Sequence, residues 1–307
     1  MFTGFTPSSH CDIISKDTFM HCNLYQNHIH LKHFKKADVM IDKYLVKNLF
    51  GIKGLNIAWY GVIIASGILL GVLIACREAK RQNLKSDIIF DFLFLALPIA
   101  IICARFYYVV FEWEQYRGSL MKVIAIWEGG LAIYGAIIGG IIAAFIFSKR
   151  NHFPFFRLVD MVVPSLALGQ AIGRWGNFVN QEAYGNLVTN PNLRFFPYAV
   201  YIEQLGEWHQ ATFFYESIWN LCVFAILIYF RKRTKFSGQL FAIYSIGYGA
   251  GRLWIEGLRA DSLYLLPGIR ISQVVSLILI IMGIIMIVLR KKLFSNTPEY
   301  TGKYMIK

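Results

Sequence analysis

Residues 57–76 read IAWYGVIIASGILLGVLIAC, twenty consecutive residues without a charge. A helix rising about 1.5 Å per residue needs about 20 apolar residues to cross a bilayer core. This stretch is a span, and the chain repeats it. Gly129–Phe147 and Ile271–Leu289 are also uncharged. Ile88–Phe111 carries Asp91 and Arg105, Phe213–Phe230 carries Glu216, and Ser237–Ile255 carries Arg252. Leu158–Gly173, the shortest run, carries Asp160. The pattern predicts an all-α fold: a polytopic membrane bundle of about seven transmembrane helices. An extracytoplasmic loop region is expected between the fourth and fifth.

Composition agrees. Of 307 residues, 56% are hydrophobic and 16% charged, and mean hydropathy is +0.49; a soluble domain is about 45–50% apolar and about 25% charged. The even spread of the runs predicts one membrane-embedded domain over 44–292. Residues 1–43 read as a polar tail or a start set too early, with Met40 as the alternative start just ahead of an amphipathic stretch, Tyr44–Ile52. Residues 293–307 read as a cytoplasmic tail. The net charge of +13 lies in short clusters between apolar runs, the habit of a membrane protein and not of a nucleic-acid reader. Cys11, Cys22, Cys76, Cys103 and Cys222 show no metal-ligand spacing. The last three are expected to be small core residues, without a disulfide framework.

Lys and Arg also give an orientation. Alternate loops hold Arg77, Lys80, Arg81 and Lys85; then Lys149, Arg150 and Arg157; then Arg231, Lys232, Arg233 and Lys235; then Arg290, Lys291 and Lys292. The loops between them hold far fewer. The positive-inside rule then puts the C-terminus in the cytoplasm and the start of the first helix outside. Lys43, Lys47 and Lys53 oppose this, against four consistent loops. Glycines at helical spacing (Gly67/Gly71, Gly135/Gly139, Gly169/Gly173, Gly247/Gly251) predict close helix packing.

Polar groups at membrane depth are costly and need a reason. The densest cluster runs Gly173-Arg174-Trp175-Gly176-Asn177-Phe178-Val179-Asn180-Gln181-Glu182-Ala183-Tyr184-Gly185, from the end of the fourth run into the longest outer loop. Arg and Asn supply donors for phosphate and hydroxyl oxygens; an ordinary polar helix exit has a similar composition. A second cluster places Arg252, Glu256 and Arg259 on one face of a continuing helix. Arg252–Glu256 reads either as a structural ion pair or as part of an anion site, with Arg259 left over for an anion or simply lying at the membrane surface. Together they suit an anionic phospholipid headgroup, which arginine grips bidentately.

The residues that carry this chemistry resemble a known family. Gly173–Gly185 matches G-R-x-G-N-F-x-N-x-E-x-x-G, the signature of bacterial prolipoprotein diacylglyceryl transferases. Trp59-Tyr60-Gly61, Glu128-Gly129-Gly130, His209 with Tyr215-Glu216, and Gly251-Arg252 with Glu256 and Arg259 resemble further family elements in order. The resemblance spans roughly 45–292. It implies transfer of the diacylglyceryl group of phosphatidylglycerol to the lipobox cysteine of prolipoprotein signal peptides. A thioether forms and glycerol phosphate leaves, in the first step of lipoprotein maturation at the bacterial plasma membrane, with no cofactor, metal or nucleotide. It implies Arg174, Arg252, Tyr134 and Glu256 as catalytic. Arg174, Tyr60, Asn177, Asn180, Glu182, Gly185, Arg259 and His209 are implied to bind phosphatidylglycerol.

Two departures stand out. Where many relatives have a histidine after the paired glycines, this chain has Tyr134; histidine titrates near about 6.5 and tyrosine near about 10. Tyr134 therefore either positions the headgroup or leaves the base elsewhere, with Glu182 and His209 as the other candidates. After His209 the family's proline is displaced, the chain reading Gln210-Ala211-Thr212-Phe213-Phe214. A transporter would show broken-helix repeats, and none is visible. A seven-helix receptor leaves Arg174–Glu182 unexplained.

Overall fold

The computed structural model describes residues 43–48, 56–260, 264–266, 269–290 and 300–306. The N-terminal tail, Met40, Cys11 and Cys22 lie outside them. Lys43–Lys307 form one compact unit. Its long helices are α1 (Trp59–Arg81), α2 (Asp87–Phe111), α3 (Ile133–Arg150), α4 (Phe155–Asn180), α5 (Thr212–Phe230), α6 (Gln239–Leu258) and α7 (Ile271–Val288). Six are long and apolar enough to cross a membrane. The seventh, α6, falls short of that apolarity, because Gln239, Arg252 and Glu256 interrupt it. It is nonetheless a 20-residue helix packed along α7 and α5.

Several boundaries differ from the sequence reading, each for a local reason. The fourth run extends from Leu158–Gly173 to the 26 residues of α4, because the polar groups of Arg174–Asn180 find partners and need no loop. The helix stops where Gln181 turns left-handed at φ 53°. The third span begins at Ile133, not Gly129: Gly129 and Gly130 have φ of +90° and +70°, outside the helical region. Tyr44–Val46 is a strand paired with Ile57–Ala58; the rest of the stretch to Ile52 is described only as far as residue 48.

α4 is central: it packs on α1, α5 and α6, and touches α3. α2 pairs with α3, and α6 with α7. The backbones of α2 and α3 approach closely: a Cβ on Gly139 would stand 2.7 Å from Ala100 Cα and one on Gly135 2.4 Å from Cys103 O. Gly169 departs from its expected role, since a Cβ there would meet nothing within 4 Å. Outward faces carry large apolar side chains, with Phe94 78%, Phe106 70% and Ile102 66% exposed. Such a continuous apolar surface belongs against lipid. Cys76, Cys103 and Cys222 are free; Cys222 is exposed on α5 and so faces outward instead of filling the core.

Alternating spans gather the N-terminal ends of α1, α3 and α5 with the C-terminal ends of α2, α4 and α6. The opposite end is closed by polar locks. Buried Glu78 pairs with Arg81 and lies 3.8 Å from Arg231, while Arg157 donates to Gln82 Oε1 at 3.0 Å. Asp160 on α4 accepts from the amides of Gly238 and Phe241 at 2.7 and 2.9 Å, meeting donors that the first turn of α6 leaves open. Residues 300–306 dock at this same end. Tyr304 stacks on Phe147 with centroids 5.9 Å apart and donates to Asp91 Oδ2 at 2.7 Å. The Lys85 amide donates to Tyr304 O at 2.7 Å.

Asp160→Ala leaves the buried amide of Gly238 and the half-buried amide of Phe241 without an acceptor, a buried donor left unmet costing about 1–3 kcal/mol. We expect a clear fall in the thermal midpoint of the purified protein, followed by intrinsic fluorescence in detergent. An unchanged midpoint would show that α6 does not depend on this carboxylate.

Candidate active site

At the gathered end, three helices aim charges at one point. Glu216, in the first turns of α5, is 5% exposed. Its Oε2 is ion-paired with Arg174 Nε from α4, and its Oε1 with Arg252 Nη1 from α6. Arg252 also reaches Glu256 Oε2 through Nη2 at 2.7 Å, and Arg259 Nη1 lies 3.9 Å from the same oxygen. Three guanidiniums thus share two buried carboxylates, and a surplus positive charge remains. Each guanidinium has five N–H donors, of which these pairs use only part.

Arg259 does not continue the helix, as its sequence position suggested. α6 ends at Leu258 and Arg259 is extended, at φ −77° and ψ 139°. It bridges to Gly185 while its side chain leans on Glu256. The i, i+4, i+7 face therefore holds for Arg252 and Glu256 only.

Neighbouring contacts fix the arginines. Arg174 Nη1 donates to Asn177 Oδ1 at 3.2 Å, and Asn177 Nδ2 to Glu182 Oε1 at 2.8 Å; Asn180 Nδ2 reaches that oxygen at 3.4 Å. Asn177, Asn180 and Glu182 thus form a chain leading away from Arg174. Trp175 Nε1 donates to Ser217 Oγ at 3.2 Å, and Ser217 Oγ to Ala171 O at 2.8 Å, stitching α4 to α5 beside the ion pairs. Trp219 does the same for α5 and α6, donating to Gly247 O at 2.8 Å. Its indole lies so close over α6 that a Cβ on Gly251 would stand 2.1 Å from Nε1.

The remaining candidates divide. Tyr60, at the start of α1, lies against Gly176, where a Cβ would meet its ring at 2.7 Å; the ring is 39% exposed. The phenol of Tyr134 lies within electrostatic reach of Arg252, Glu256 and Tyr248. His209 is 6% exposed, within the hairpin Ala199–Ile202/Glu207–Gln210. Its Nδ1 bonds Gly185 O at 2.8 Å, its ring packs on Tyr184, and Nε2 lies 3.4 Å from Glu207 Oε2, off the line of a hydrogen bond. Gly185 is crowded: a Cβ would meet Gln210 Cβ and Thr212 Cγ2 at 2.8 Å and Leu258 O at 3.0 Å. His209 and Gly185 thus join the α4 exit, the hairpin and the end of α6.

Sequence reasoning named Glu216 only as a charge within the fifth run and a motif position. Its place between the two arginines was missed, although a lone carboxylate in an apolar run is itself a signal for a buried cation.

The family model for prolipoprotein diacylglyceryl transferase matches residues 47–289. The chain belongs to the prolipoprotein diacylglyceryl transferase family. Three bacterial relatives, each named phosphatidylglycerol–prolipoprotein diacylglyceryl transferase, give the measure of similarity. That of Oceanobacillus iheyensis is 48% identical over 249 residues, 79% of this chain and 87% of the relative. That of Bacillus velezensis is 45% identical over 248 residues, 79% and 91% of the two chains. That of Listeria innocua is 45% identical over 255 residues, 81% and 91%. The family match takes in every described element that brings a charged side chain to the Glu216 cluster.

Glu216→Gln keeps the shape of the side chain and removes its charge, leaving Arg174 and Arg252 facing each other. Breaking a buried pair typically costs about 3–5 kcal/mol. We expect a lowered thermal midpoint together with a loss of lipid transfer. Parental values of both would remove Glu216 from the centre of the site.

Proposed function

We propose that this multi-pass membrane enzyme transfers the diacylglyceryl group of phosphatidylglycerol to prolipoproteins, the first step of lipoprotein maturation, with Arg174 and Arg252 as its phosphate clamp. The observation that carries the clamp is the convergence of two arginines, from separate helices, on one buried carboxylate. The acceptor is the cysteine thiol of a lipobox. The thiol, with a pKa of about 8.5, reacts as thiolate. Sulfur forms a bond to the glyceryl CH2 group, and the bond from that carbon to the phosphate oxygen breaks. Glycerol phosphate leaves with the electron pair, and the thiol proton passes to a base.

Negative charge grows on the leaving phosphate. Donors already held in place at that point lower the barrier, because no reorganisation is needed when the charge appears. Glu216 and Glu256 keep the guanidiniums fixed while leaving donors over. Asn177 and Tyr60 hold headgroup oxygens; Asn180 and Glu182 extend this polar chain, and His209, Gly185 and Arg259 hold the loop around it. Of the candidate bases, His209 holds the Gly185 carbonyl through Nδ1 with Nε2 left over, and Glu182 accepts from two asparagines. Tyr134, at the start of α3, lies within electrostatic reach of Arg252 and Glu256, and we assign it to the reacting centre.

Arg252→Lys keeps the charge and loses the fork. Losing one preorganised donor costs about 10²–10³ in rate, so transfer of labelled diacylglyceryl to a lipobox peptide should fall by that order with stability retained. Near-parental transfer by Arg252→Lys, or by Arg252→Leu combined with Glu256→Leu, would leave a structural ion pair and no clamp.

Tyr134→Phe should lower turnover while Tyr134→His is tolerated. A fully active Tyr134→Phe enzyme would move the base elsewhere.

The arginine end of the bundle faces outside and the C-terminus faces the cytoplasm. In an otherwise cysteine-free chain, an impermeant thiol reagent should label Asn190→Cys in intact cells and spare Lys232→Cys. The reverse pattern would invert the topology.

A further inference from the structure

Arg105 has no part in the reaction above, yet it is 6% exposed at the end of α2. A guanidinium at this depth must have its donors met. Here backbone carbonyls meet them: Nε donates to Val123 O at 2.9 Å and Nη2 to Lys122 O at 2.5 Å, while Nη1 donates to Gly129 O at 2.6 Å and Gly130 O at 3.0 Å. The guanidinium carbon also lies 4.9 Å over the ring of Tyr116. Three separate pieces of the connection between α2 and α3 therefore end on one side chain.

Besides these contacts, Tyr116 packs edge-on against Tyr108 of α2 at 6.2 Å and Ala125 is buried. The connection's large apolar side chains point away from the bundle, with Trp127 73%, Met121 65% and Ile124 62% exposed. With so few buried apolar side chains, order in such a segment leans on polar contacts. Gly130 fits the same arrangement, since a Cβ there would stand 2.4 Å from Arg105 Nη1 and its φ is +70°. Two residues on, the Ala132 amide donates to Ala104 O at 3.1 Å, hooking the start of α3 to the residue beside Arg105.

We propose that Arg105 is a positioning residue: it fastens residues 116–130 to α2 and so sets the start of α3, and with it Tyr134. The link to Tyr134 rests on the assignment of Tyr134 to the reacting centre. Lysine does not substitute, because a single ammonium cannot reach carbonyls spread around the whole edge of the guanidinium plane.

The test uses full-length parent, Arg105→Lys and Gly130→Ala proteins, the second variant crowding the fastening from the carbonyl side. Hydrogen–deuterium exchange is followed in peptides covering 116–134, with 174–182 as internal reference, beside kcat and KM for phosphatidylglycerol. We expect exchange at 116–134 to rise by about tenfold or more in both variants and 174–182 to stay protected. The kcat should fall by about 10–100-fold, the scale of a small misplacement of a reacting group, with KM unchanged. In a Tyr134→Phe background, Arg105→Lys should add no further loss. Unchanged exchange in both variants overturns the fastening, whatever the activity. Raised exchange at 174–182 as well overturns it in favour of general destabilisation. Raised exchange with parental kcat, or a full additional loss in the Tyr134→Phe background, overturns the link to Tyr134. A parent that transfers no lipid defeats the proposed reaction, while the exchange comparison still decides on the fastening.

Discussion

A carboxylate buried in an apolar medium cannot stand alone, and Glu216 determines how three helices meet. Taking an ion out of water costs several kcal/mol even after relaxation, so the first turns of α5 must lie where cations are within reach. Arg174 on α4 and Arg252 on α6 supply them. The three helices cannot slide past one another without exposing a charge to hydrocarbon. The hydrogen bonds of Trp175 and Trp219 to neighbouring helices then refine a geometry that the ions already require.

The same arrangement reconciles binding with rigidity. Arginines prepared for a phosphate would repel each other in the empty enzyme, and two flexible side chains would have to be ordered when lipid arrives. Carboxylates beneath them remove both difficulties. The guanidiniums stay ordered and partly neutralised, while the surplus cation remains to attract an anionic headgroup. The signature segment contributes by remaining helical to Asn180, which aims Arg174 inward; its last glycine closes the loop against the hairpin.

The spans were legible because lipid imposes a simple rule on sequence: long, uncharged and apolar. Arg174 and Arg252 were legible because they break that rule. Helix ends were less so, since Arg174–Asn180 look like a loop until their partners are known. What sequence hid were the long-range pairings: Glu216 with two arginines on other helices, Arg105 with carbonyls of a later connection, and Arg259 with Gly185. Each depends on which helix faces which, and periodicity within one segment carries no such information. Even Gly169, spaced like a packing glycine, faces open space.

Residues 300–306 lie after every span in the chain, yet Tyr304 rests on Phe147 and bonds Asp91. Synthesis runs from the N-terminus, so α1, α2 and α3 enter the membrane long before the segment that seals their far ends has been made. Assembly of the earliest helices is therefore finished last, from the opposite side to the arginines. Until then the aromatic seat on Phe147 lacks Tyr304. Any polypeptide fused close behind residue 306 would crowd the same seat.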